Sequence, residues 1–134
     1  MLSVFPHLLD YRLYGPLILR IAIGLYFLYF GYMKFGAHKD DLWKFFELMG
    51  FRPGSYYTAA LAVLEIIVGI CLIIGFLTQI AAAICAVIGI VSLVVSLRHP
   101  NAKLRMPLEY IFLIIISVSL LLMGAGKGGI DLPL

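Results

Sequence analysis

The sequence predicts an all-α fold: an integral membrane four-helix bundle with a short interfacial amphipathic helix between the first two spans. Three observations predict it. Of 134 residues, 63% are apolar and 13% are charged, with a mean hydropathy of +1.09. An ordinary globular domain is roughly half apolar and a quarter charged. Residues 66–97 form an uncharged run of 32. Two polar, turn-rich segments, 38–55 and 98–106, separate the apolar stretches. Four spans of roughly 20 residues take about 80 positions and leave about 50 for loops and ends, so residues 1–134 make one domain. The same composition excludes a soluble enzyme domain, a disordered tail and a nucleic-acid binder.

The first span is placed at about 16–37. Pro16 suits a first helical turn, where its missing N–H costs nothing. Arg20 and Lys34 lie inside this stretch, separated by thirteen uncharged residues. The interfacial helix is placed at about 41–50. Leu42, Phe45, Phe46 and Met49 fall at i, i+3, i+4 and i+7, with Lys44 and Glu47 on the other face. Asp40 or Asp41 serves as N-cap and Gly50 as C′. With Trp43 beside it, this helix either lies in the membrane interface or packs on the ends of the bundle. Arg52-Pro53-Gly54-Ser55 then breaks the chain.

A single helix over the run of 32 would be about 48 Å long, against a hydrocarbon core of roughly 30 Å. The run is therefore a hairpin, broken at Gly75-Phe-Leu-Thr-Gln79, with spans at about 56–76 and 79–97. The fourth span is placed at about 107–124, with Pro107 at its start and Glu109 in its first turn.

Lys and Arg counts set orientation. Arg12 and Lys127 lie on the side of both termini; Lys39, Lys44, Arg52, Arg98, Lys103 and Arg105 lie on the other. Six against two predicts a multi-pass protein of the cytoplasmic (inner) membrane, with both termini outside and loops 38–55 and 98–106 cytoplasmic. The net charge of +3 reflects this topology rather than an acidic ligand. The N-terminus has no basic region followed by a cleavage site, so no cleaved signal peptide is expected.

Chemistry must come from the ionisable groups within or beside the spans: Arg20, Lys34, Glu65, Glu109 and Asp131. Arg20, Gly24, Phe27, Gly31 and Lys34 form one helical stripe, and its glycines let a neighbouring helix approach closely. Glu65 falls near the midplane, on a stripe with Thr58, Ala62, Gly69 and Phe76. A carboxylate at that depth needs a cation, a hydrogen-bond donor or water beside it, or else it carries a proton. Depth matching pairs Lys34 with Glu109 and Arg20 with Asp131, with Glu65 between the two pairs. The plainer reading is that such groups snorkel or fix helix register.

Cys71 and Cys85 flank the hairpin turn at similar distances. Small apolar fillers are the first reading, and a redox pair is the second. His7, His38 and His99 are badly placed for a bis-histidine haem, and no metal-ligand spacing, phosphate loop or dinucleotide fingerprint occurs. Tyr26, Tyr29, Phe30, Tyr32, Tyr56, Tyr57 and Tyr110 read as interfacial anchors or packing. The alternative is an aromatic wall for a quinone or similar flat ligand.

Four features together resemble the DoxX family of small four-span membrane proteins: Arg20-x3-Gly24-x6-Gly31-x2-Lys34; Glu65-x3-Gly69 followed by Gly75-x2-Thr78; Pro107-x-Glu109; and Gly124-x-Gly126 with Ile130-Asp131. The resemblance covers roughly residues 16–131. The tail departs from the family pattern at Ala125 and at Gly129-Ile130. The family includes a subunit of a thiosulfate:quinone oxidoreductase, and other members are linked to redox complexes and thiol stress. The resemblance therefore implies an oxidoreductase subunit, or a partner of one, more than a catalyst in its own right. The lead reading is then a subunit or partner that handles a quinone in the lipid bilayer, with a redox protein or a second copy of the chain as partner. In that reading Arg20 and Glu65 orient or protonate a head group. Two rivals remain at this stage: a non-enzymatic scaffold, and a small transporter built around Glu65.

Overall fold

The computed structural model describes residues 11, 14–36, 39–100, 106–124 and 126. All regular secondary structure among them is helical: α1 (Tyr14–Met33), α2 (Lys39–Leu48), α3 (Gly54–Ile74), α4 (Thr78–Arg98) and α5 (Pro107–Met123).

Most helix ends follow local chemistry. The first span stops at Met33, four residues short of the expected boundary. Lys34, Phe35 and Gly36 continue as turns, with Phe35 N–H donating to Tyr32 O at 3.0 Å and Gly36 N–H to Met33 O at 3.1 Å. Such i→i−3 bonds tighten a helix end. The second helix starts at Lys39, so Asp40 and Asp41 occupy its first turn rather than its cap. Carboxylates there still face the positive end of the helix dipole. Gly50 ends it as expected. Its φ is +87°, Gly50 N–H meets Glu47 O at 3.1 Å and Phe51 N–H meets Phe46 O at 3.0 Å, which together make a Schellman closure. Gly75, at φ 80°, terminates α3 with its N–H on Cys71 O. The tight hairpin is thus residues 75–77, close to its predicted place.

The helices α1, α3 and α4 are each long and apolar enough to cross a membrane, and α5 is a shorter apolar helix of 17 residues. Their outward faces expose Ile18, Leu25, Ile67, Val87, Ile115 and Leu122. Apolar cover on this scale is expected against lipid and is rare on soluble monomers. The fold is that of a multi-pass membrane protein.

Around the bundle α1 packs on α3, α3 on α4, α4 on α5 and α5 on α1. The α1–α3 and α4–α5 contacts are the most extensive. The predicted glycine stripe makes the first of these. A Cβ at Gly24 would lie 2.9 Å from Gly69 O, and one at Gly31 would lie 3.0 Å from Ala62 O. Rising numbers on α1 meet falling numbers on α3, so the pair is antiparallel. On the other side Gly89 faces Leu113 and Ile114. Ile23, Leu72, Ala82 and Leu120 fill the core toward the α3–α4 turn. At the opposite end α2 lies across the bundle. Gly54 packs against the Trp43 backbone, with no room for a Cβ. Phe46 stacks on Tyr57 at 6.4 Å, and Phe45 meets His99 edge-on at 5.6 Å.

Candidate functional site

The site forms where the close α1–α3 contact carries two charged side chains into the apolar interior. Lys34 sits just beyond the last turn of α1, its N–H on Phe30 O at 3.2 Å. Its Nζ donates to Glu65 Oε1, and the two form an ion pair. Glu65 is in the middle of α3 and only 5% exposed. A carboxylate buried in this apolar interior therefore has a cation beside it.

This corrects the expected Lys34–Glu109 pair. Glu109 is exposed in the first turn of α5. Lys34 is carried on the glycine face of α1, which is closed on α3, so its reach is toward Glu65. The expected Arg20–Asp131 pair cannot be compared, because Asp131 lies outside the described residues. Arg20 itself is 1% exposed. Its guanidinium lies against Gly75, where a Cβ would fall 2.5 Å from Nη1. Arg20 thus sits at the α3–α4 turn end of the α1–α3 seam, away from the Lys34–Glu65 pair.

Beside the ion pair is a cavity of about 350 Å³. Tyr26, Phe27 and Phe30 of α1 line it, with Leu61 and Glu65 of α3, Gly89 and Ser92 of α4, and Tyr110 and Leu113 of α5. Leu42, Phe45 and Phe46 of α2 cover it, with Met49 just beyond the end of that helix. These four are the apolar face read from the sequence, and that face is turned into the bundle. Lys34 also lines the cavity, whereas Arg20 does not. A head group in this space would therefore meet Lys34 and Glu65, with Asp41 of α2 also on the lining; Arg20, expected to share that role, lies outside the lining. The volume lies within the range of small-molecule sites, which are mostly apolar with a few convergent polar groups.

The aromatic residues of the spans divide between the cavity and the outer surface. Tyr26 and Phe30 face the cavity with ring centroids 4.6 Å apart, while Tyr29, Tyr32, Tyr56 and Tyr57 are exposed. Cys71 and Cys85 are free thiols, Cys85 buried in the core and Cys71 half-buried against it. Phe45, Phe46 and Ser92 are site residues that sequence reasoning missed. The helical period of α2 carried a signal for the first two; Ser92, one of two serines in a largely apolar helix, carried none of comparable strength.

The helices and the buried ion pair define a multi-pass membrane protein with an internal, largely apolar site. The DoxX family model matches residues 15–98, more than half of the chain. This chain belongs to the DoxX family. The match spans α1 to α4; the Pro107-x-Glu109 and tail features of the resemblance lie beyond it. No curated protein and no solved structure matches the chain.

Proposed function

We propose that this DoxX protein is a four-span subunit or partner of a membrane redox complex, and that its cavity receives the head group of a quinone-like molecule. The cavity carries this reading: an aromatic-walled space of about 350 Å³ with one buried ion pair at its side. A flat ring stacks favourably on Tyr26, Phe30 and Phe45, and the ion pair supplies polar anchors at one point. At 17 residues α5 is about 26 Å long, at the short end of the range that spans a bilayer. Its antiparallel packing on α4 supports counting it as the fourth span. The excess of Lys and Arg near α2 and the α4–α5 loop supports a cytoplasmic position for that end, in the inner membrane, with the termini outside.

The experiment is titration of a short-chain quinone analogue into the purified protein, alongside Lys34→Ala and Glu65→Gln. Saturable binding that changes by about tenfold in either variant supports the reading. Absent binding, or binding unchanged in both variants, defeats it. A transporter reading is less well supported, because Leu72, Ala82 and Leu120 pack the core between the cavity and the α3–α4 turn.

A further inference from the structure

The ion pair accounts for one carboxylate oxygen of Glu65. The other, Oε2, is buried and accepts no hydrogen bond among the described residues. An ionised carboxylate is an acceptor only, with room for several donors. Leaving one of its oxygens buried without a donor is costly. The space adjoining Glu65 is the cavity, which Glu65 itself lines. The last side-chain torsion of Glu is broad and nearly two-fold, so rotation about it can turn Oε2 toward that space.

The two ends of a redox pair of ring compounds differ at this point. A quinone offers carbonyl oxygens, which accept. A hydroquinone or phenol offers O–H groups, which donate. A carbonyl brought against Oε2 would set acceptor against acceptor, whereas a hydroxyl would supply the missing donor. Resting on the reading of the cavity as a ring-binding site, we infer that the site selects the hydroxyl-bearing form, a hydroquinone or phenol whose O–H donates to Glu65 Oε2. Sites built to hydrogen-bond a hydroxyl discriminate strongly against analogues that lack it, because their own buried polar group is then left unpaired.

The test compares three ligands of one skeleton by calorimetry on the full-length purified protein under anaerobic conditions: a short-chain 1,4-hydroquinone, its dimethyl ether and the matching quinone. The hydroquinone is expected to bind at least ~10-fold tighter than either of the others. In Glu65→Gln the amide oxygen can take the Lys34 bond and turn its NH2 to the cavity, so the preference should vanish or reverse toward the quinone. Equal binding of hydroquinone and ether by the wild-type protein overturns the inference and leaves the ring-binding site standing. A preference retained in a folded Glu65→Gln variant also overturns it, by taking Glu65 out of the recognition. Failure of all three ligands to bind overturns both readings. The wild-type comparison needs no variant, so a poorly folding Glu65→Gln protein does not remove the test.

Discussion

Lys34, one residue beyond the end of α1, holds the carboxylate of Glu65 at the centre of α3. The pair ties the residue just after one span to the middle of another. Removing one partner strands the other in an apolar interior, a loss typically of about 3–5 kcal/mol for buried pairs. Lys34→Met is therefore expected to destabilise the detergent-solubilised protein markedly. The double variant Lys34→Met, Glu65→Leu should recover much of that loss, because neither charge is left behind. Thermal melts of both variants check it, and a double variant no better than the single one counts against the pairing.

The glycines of α1 should differ sharply in tolerance. At Gly24 a new Cβ would meet Ile73 Cγ1 at 2.7 Å and Gly69 O at 2.9 Å, and the backbone oxygen cannot step aside. Gly24→Ala should destabilise by about 1–3 kcal/mol. Nothing lies within 4 Å of a Cβ at Gly15, so Gly15→Ala should be neutral or stabilising by up to about 1 kcal/mol. Equal melting shifts for the two would refute the close α1–α3 approach.

Gly75→Ala meets two obstacles at once. Its φ of +80° disfavours any side chain, and the Cβ would strike the buried Arg20 guanidinium. The expected loss exceeds the roughly 1–2 kcal/mol of the backbone effect alone. Restoring stability by combining it with Arg20→Ala would show that the clash contributes; additive losses would show that it does not.

Filling the cavity should separate binding from folding. Ser92 is half-buried on the cavity wall. Ser92→Phe is expected to leave the helical content unchanged while weakening ring-ligand affinity by at least ~10-fold. A well-folded variant with wild-type affinity would move the ligand elsewhere.

Topology is checked by cysteine labelling on a background in which Cys71 and Cys85 are replaced by Ala. A cysteine at Arg52 should react with an impermeant maleimide only in inside-out vesicles, and one at Arg12 only in right-side-out vesicles. The opposite pattern would invert the orientation.

The parts of this architecture written in short-range periodicity were legible. Gly24 and Gly31 declared a packing stripe because helical spacing projects them onto one face. Gly50 and Gly75 declared helix ends because their positive φ suits almost no other residue. The partner of Lys34 was not legible. It depends on where α1 stops, and Phe35-Gly36-Ala37 extends the apolar stretch past Lys34 with no helix-stop signal at Met33. It also depends on which neighbour the glycines draw in, and depth matching alone favoured Glu109. The cavity was less legible still. It is a volume left between Gly89, Ser92, Tyr26 and the face of α2, and a void has no residues of its own. Arg20 was recognised as costly to bury, but its contact with Gly75 arises from folding the hairpin turn back over α1.

The glycine contacts also bear on how the molecule can yield. Gly24 and Gly31 latch α1 to α3 at two levels, and Gly89 latches α4 to α5. Each pair therefore resists sliding or spreading, and compliance is left to the seams between the pairs. The cavity lies on those seams. A guest larger than the resting space would be admitted by parting two stiff helix pairs. The helix α2 spans that gap as a strap, seated on α3 at Gly54 and touching the end of α4 at His99. Its Phe45–His99 contact is then the first that such a movement would open.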